Sequence, residues 1–160
     1  MELLNQAYDL SEDGQYTKAL ACYETILKND PKNISALIDS GITLQHLGNY
    51  KKSILFFKKV LNIEPNNLDA LINMGVALHS LGQFQDAITF YNKSLLVDKK
   101  CAIALAYKGL SLGELGKIPD ALEFFKKALE IDRDYDLAKM SKKMAQDILK
   151  LRGLKQSKIQ

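Results

Sequence analysis

Apolar residues along the chain fall into short stripes at three- and four-residue spacing, each about one helix long and each cut by a glycine or a proline. In the clearest stretch Leu37, Ser40, Gly41, Leu44 and Leu47 mark one face of a helix, because residues so spaced stack on one side of a 3.6-residue turn. Gly48–Asn49 interrupts the stripe, as a tight helix-to-helix turn does. A second stripe follows at Tyr50, Ile54, Phe57, Leu61 and Ile63, and Pro65–Asn66 stops it. The same alternation predicts paired helices at 2–13 and 17–29, 34–47 and 51–63, 68–81 and 85–97, and 102–115 and 119–131. Pro119 fits, since a proline in the first turn removes an N–H that has no helical partner anyway. A ninth helix is predicted over 136–152, with Leu137, Met140, Met144, Ile148 and Leu151 on its apolar face. Lys139, Lys142, Lys143, Asp147 and Lys150 lie opposite, and Gly153 is expected to end the helix and leave 153–160 as a polar tail.

The stripes repeat. Shifting the sequence against itself by 34 residues aligns Gly14, Gly48, Gly82 and Gly116, and three columns of leucine. These are Leu3, Leu37, Leu71 and Leu105; Leu10, Leu44, Leu78 and Leu112; and Leu27, Leu61, Leu95 and Leu129. With nine glycines in 160 residues, chance does not produce a column of four. A period of this length means stacked helical repeats, here 1–33, 34–67, 68–101 and 102–135, within one domain over 1–152. The 136–152 helix then covers the last repeat, as solenoids require. Gly41, Gly75 and Gly109 (Ala7 in the first repeat) sit in mid-helix, where glycine costs about 1 kcal/mol relative to alanine. Their recurrence implies a bulky neighbour, and the aromatic column Tyr23, Phe57, Tyr91 and Phe125 supplies it. Ala19, Ser53, Ala87 and Ala121 relieve crowding in the same way.

The order Leu37, Gly41, Leu44, Gly48–Asn49–Tyr50, Ser53, Phe57, Val60–Leu61, Pro65 resembles the tetratricopeptide repeat, and the other three repeats follow it. The chain departs from the family at a few columns. Leucine stands where a first-helix tryptophan is common, Lys99 and Arg133 replace the closing proline seen at Pro31 and Pro65, and Ile118 replaces an aromatic. The resemblance implies an all-α, right-handed superhelix of antiparallel helix pairs, about nine helices in all. It also implies an inner groove lined by the first helices. Carried onto this chain, that groove presents Leu4 and Tyr8, Ile38 and Ile42, Ile72 and Val76, and Ala106 and Leu110. This mostly aliphatic row either faces a partner or thickens the core between helices. Beside it runs a polar column, Asn5, Asp39, Asn73 and Tyr107. In some relatives an asparagine ladder there grips a peptide backbone; the alternative is that the residue type is simply common at that place. The carboxylate clamp of chaperone-binding relatives needs cations, but its positions hold Leu4, Tyr8, Asp39, Asp69 and Asn73, or Ile38, Ile42, Asn73, Ile103 and Tyr107 one repeat later. The resemblance therefore points to a scaffold or adaptor holding a protein or peptide in the groove, with self-association through the groove or the last helix as the alternative.

Composition narrows the chemistry. At 47% hydrophobic and 26% charged residues the chain suits a folded globular protein. No run approaches the roughly 20 apolar residues of a membrane span, and the early acids Glu2 and Asp9 do not suit a secretory leader, so the expected location is the cytoplasm. Cys22 and Cys101 lack neighbouring cysteine or histidine, which argues for separate thiols rather than a disulfide framework or a metal site. No catalytic constellation, cofactor motif or metal-ligand spacing is expected. The glycines belong to turn and packing columns, and His46 and His79 lack further ligands. Asp30, Glu64, Asp98 and Asp132, one at each repeat end, read as turn caps and not as calcium ligands. Residues 136–160 hold seven basic groups against Asp136 and Asp147, a net +5 within a chain of +3. Lysines on a last helix suit its exposed face and its dipole. Without clustered arginine or interleaved aromatics they argue against a nucleic-acid partner.

Overall fold

The computed structural model describes residues 2–156, with side chains through Gly153. Among them are nine α-helices and no strand: α1 (Glu2–Glu12), α2 (Tyr16–Asn29), α3 (Ile34–His46), α4 (Tyr50–Ile63), α5 (Leu68–Ser80), α6 (Phe84–Val97), α7 (Ala102–Glu114), α8 (Ile118–Ile131) and α9 (Asp136–Gln156). The first eight helices begin and end within one residue of the positions read from the stripes.

Two kinds of turn set this spacing. Within each repeat the glycine column carries the chain out of the first helix at φ between +70° and +75°, a region that costs residues with a Cβ 1–2 kcal/mol or so. At the first of these turns Gln15 N–H donates to the Leu10 carbonyl at 2.8 Å and Gly14 N–H to Ser11 at 3.0 Å. The pattern recurs from Asn49 to Leu44 and from Lys117 to Leu112. This double bond satisfies carbonyls that the helix end leaves orphaned, so the Leu10 column is fixed by the turn as well as by packing. Between repeats the acidic column organises the connection. Asp30, Asp98 and Asp132 accept from the backbone N–H two residues on, and Glu64 accepts from the Asn67 amide at 2.7 Å. Asn33 and Asn67 then cap the next helices, accepting from Ala36 and Ala70 N–H at 3.0 and 2.9 Å. Cys101 holds the same place before α7 without a side-chain cap.

The chain forms two compact units, one through Gly82 and one from Gln83. In the first, α1 to α5 pack in chain order, and α3 also touches α1 and α5. In the second, α6 to α9 pack in order and α9 reaches α7. The lock between paired helices is the glycine–aromatic contact: a Cβ added at Gly41 would lie 2.5 Å from Phe57 Cε1, and one at Gly109 2.6 Å from Phe125 Cε1. Ala19, Ser53, Ala87 and Ala121 are fully buried beside the aromatics.

The last helix departs from the sequence reading twice. It runs through Gly153 to Gln156; a mid-helix glycine is a cost of about 1 kcal/mol, and only the left-handed conformation, absent at Gly153, makes it a stop. The expected tail thus begins later, and its residues 157–160 lie outside the described residues. The packed face of α9 is also rotated from the expected one. Ala138 and Ala145 are buried, with Ile148 and Leu149 packed beside Ala145, while Met140, Met144 and Leu151 are exposed. Small residues let α9 approach α8 closely, and the bulky stripe is left outward.

Candidate functional site

Each unit carries its own set of the first-helix positions. In the N-terminal unit Tyr8 is the most open of the aliphatic and aromatic row at 53% exposure, and Leu4, Ile38, Ile42 and Val76 are half-buried. Ile72 is buried. In the C-terminal unit Leu110 is half-buried, whereas Ala106 is 0% exposed and packs with Leu105, Ala128 and Ala138. Ala106 and Ile72 are therefore the least open members of the expected row, and Ala106 packs into the core of the C-terminal unit.

Sequence reasoning leaves Met140 and Met144 out of this row, because it assigns them to the packed face of the ninth helix. Continuing the 34-residue register one step past Ala106 and Leu110 reaches Met140 and Met144, which are 70% and 64% exposed. The positions that in α3 and α7 face the paired second helix become Lys139, Lys143 and Gln146, where the earlier repeats have leucine, glycine and leucine. Helix α9 is thus a first helix in register, polar where its second helix would pack. A hollow of about 400 Å³ opens between α7, α8 and α9, bounded by Leu110, Phe125, Met144 and Ile148.

The polar column is mixed in its behaviour. Asn5 is exposed, and Asp39, Asn73 and Tyr107 are half-buried. The Asn73 amide donates to the Asp69 carbonyl within its own helix at 2.9 Å, and the Asn73 carbonyl accepts from the Gln45 amide at 2.8 Å. Tyr107 stacks on Tyr91 at 6.1 Å between ring centroids. The Asp39 carboxyl is held above its ordinary range, first by burial and then by the negative charge of Asp69.

A second hollow, of about 360 Å³, lies between α1, α2 and α3 and includes Tyr8, Tyr16, Tyr23, Asp39 and His46 in its wall. His46 stacks flat on Tyr16, 5.0 Å between centroids and 3° between planes. Tyr23 is 1% exposed, and its hydroxyl makes no hydrogen bond of standard geometry among the described residues, although the Thr43 hydroxyl lies beside it. Burial pushes its pKa up to about 12; Asp39 adds to the shift and the Thr43 hydroxyl opposes it. No lysine or arginine lines this hollow. In the C-terminal unit the Tyr91 hydroxyl is also buried without a partner, and Lys108 lies 4.1 Å over the Phe124 ring, its pKa lowered by burial and then by Lys127. Sequence spacing marks the aromatic column as packing; it carries no sign that the hydroxyls of its two tyrosines are buried.

Among the described residues no cluster of His, Cys, Asp and Glu has the geometry of a metal site, and no helix is long and apolar enough to cross a membrane. Cys22 and Cys101 are free thiols, Cys101 buried.

Comparison with known proteins agrees with the repeat architecture. A family model described as tetratricopeptide repeat matches residues 67–134, and one described as anaphase-promoting complex, cyclosome, subunit 3 matches residues 12–94. Curated protein sequences give no match. Among solved structures the fold is similar to MamA, with TM-score 0.80 and 24% identity over 92% of this chain and 86% of that one. It is also similar to a tetratricopeptide repeat protein from Parabacteroides merdae, with TM-score 0.77 and 22% identity over 95% of this chain and 59% of that one. A third similar structure is a thermophilic TPR protein of Thermus thermophilus, with TM-score 0.77 and 22% identity over 85% of this chain and 76% of that one. With its period, glycine turns, glycine–aromatic locks and all-α helix pairs, the chain belongs to the tetratricopeptide repeat family, a non-catalytic scaffold fold that serves protein interaction.

Proposed function

We propose that this protein is a cytoplasmic adaptor that holds an apolar helix or extended segment of a protein partner on its first-helix face, with no catalytic step of its own. The observation that supports this most is the apolar side chains that recur at one repeat position in each unit: exposed Tyr8 with half-buried Ile38, Ile42 and Val76 in the N-terminal unit, and half-buried Leu110 with exposed Met140 and Met144 in the C-terminal unit. Apolar residues that keep part of their surface in water at a recurring repeat position favour association, and an amphipathic partner segment is the ligand such positions fit. Asn5, Asp39, Asn73 and Tyr107 supply polar contacts along its side. A second copy of the chain is the rival occupant, since the exposed methionines of α9 suit adaptable contacts.

The test uses the double variant Ile42→Lys with Met144→Lys as bait beside the wild type in the native cell, with circular dichroism and sedimentation of both. The expected result is two folded monomers and a partner captured by the wild type alone, because an unpaired charge buried at an interface costs several kcal/mol. A folded variant that captures the partner at full strength moves the binding surface elsewhere. A wild-type dimer beside a monomeric variant favours self-association.

A further inference from the structure

We propose that the hollow between α1, α2 and α3 takes a cationic group, the ammonium or guanidinium of a lysine or arginine side chain on the partner segment. The proposal rests on the first-helix face being the binding face, and it adds what that face selects.

Three aspects of the hollow agree on a cation. Its walls include the rings of Tyr8, Tyr16 and Tyr23 and the imidazole of His46, and aromatic faces attract a cation lying within about 6 Å of the ring centre. Tyr16 and His46 stack on one another, so each has only its outer face to offer a guanidinium. Its charged wall is acidic: Asp39 and Glu12 face it, with no lysine or arginine, and Asp39 has no ion pair among the described residues. Its floor is the Tyr23 side chain, 1% exposed, whose hydroxyl makes no hydrogen bond of standard geometry in the described structure, with the Thr43 hydroxyl beside it. Such a group costs up to about 1–3 kcal/mol while it lacks a good hydrogen bond, and a cation that shifts its neighbours enough to reach it with an N–H removes that cost. The open volume of about 360 Å³ falls at the small end of ligand pockets, about 300–1,000 Å³. It suits one side chain and not a folded surface. The first-helix glycine column is Ala7 in this repeat, and the position corresponding to Asp39 is Asn5, Asn73 or Tyr107 in the others. The acid of the second repeat meets the rings of the first at this one junction, so the hollow sets register as well as affinity.

The experiment titrates the whole chain with n-butylammonium and with n-propylguanidinium, the heads of lysine and arginine, following ring resonances of Tyr16 and His46 by NMR. Butanol and butyrate serve as controls of equal length. The expected result is saturable shifts with one or both cations, none with the controls, and at least tenfold weaker binding in Asp39→Asn and in Tyr16→Leu, each folded by circular dichroism. Asp13→Asn, at the exposed turn beyond the hollow, should bind as the wild type does. Equal shifts with butanol, or no saturable shift with either cation up to about 100 mM, overturn the proposal. If the cations fail but Ile42→Lys with Met144→Lys still abolishes partner capture, the groove reading stands without its cation. If they bind while no partner depends on the face, the groove reading fails instead.

Discussion

At the scale of single residues the contacts that matter are steric, and the sequence announces some of them. Gly41 and Gly109 are legible because a mid-helix glycine needs a reason, and the 34-residue register names the aromatic that supplies it. Gly41→Ala should therefore destabilise the protein by about 1–3 kcal/mol through overpacking on Phe57, although alanine is the better helix former by about 1 kcal/mol. Urea melts check this, and a double-mutant cycle with Phe57→Leu should recover part of the loss. An unchanged or raised stability in the single variant would mean the column is not a packing device. Burial of individual side chains is less legible. Ala106 and Leu110 share a predicted face, yet one is sealed and the other half-open, because depth depends on how closely neighbouring helices approach and not on periodicity. The phenols make a pH prediction. Tyr23 and Tyr135 are both pushed up to about 12, chiefly by burial. Between about pH 10, where a free phenol titrates, and pH 12 the unfolded chain gives up these protons first. Stability is then full below pH 10 and falls as pH rises. Unfolding free energies at pH 9 and pH 11 should show the fall, and Tyr23→Phe should flatten it without lowering stability at pH 9.

At the scale of the helix, boundaries read well because turns are local chemistry. Left-handed glycine, the double hydrogen bond behind it and the Asn33 and Asn67 caps all lie within a few residues of the positions they decide. The exception marks an opportunity. Cys101 stands at a cap position with no cap, so Cys101→Asn should add the bond that Asn67 makes, about 1 kcal/mol. In a chain of this size that is a rise of about 2–4 °C in Tm, measurable by calorimetry; no rise would show that the buried thiol contributes more than the cap. The face of α9 misleads because it lacks a paired helix, and the amphipathic pattern alone favours the bulky residues. A chain ending at Tyr135 should lose Ala145, Ile148 and Leu149 from the core that holds Ile118 and Phe125, melt at lower temperature and bind a hydrophobic dye. A truncated chain with unchanged Tm would reduce α9 to an ornament of the groove.

At the scale of the whole molecule, fold class is legible from one number, the period, and function only as a surface type. The hollow between α1, α2 and α3 is invisible in the sequence, since Tyr8, Tyr16, Tyr23, Asp39 and His46 meet there from three helices. The identical glycine turns have a consequence for inheritance. When each repeat leaves its first helix by the same turn and enters the next by the same acid-led connection, the DNA between equivalent points is interchangeable. Loss of residues 34–67 joins Asn33 to Leu68, the junction that Asn67 makes already. Such a deletion should yield a shorter folded chain, checked by circular dichroism and a cooperative melt, whereas losing 33 or 35 residues leaves one residue too many or too few in the connection that Asn33 caps. Selection would then see length change in steps of one repeat, and a row of side chains along the first helices would grow or shrink by one rung at a time.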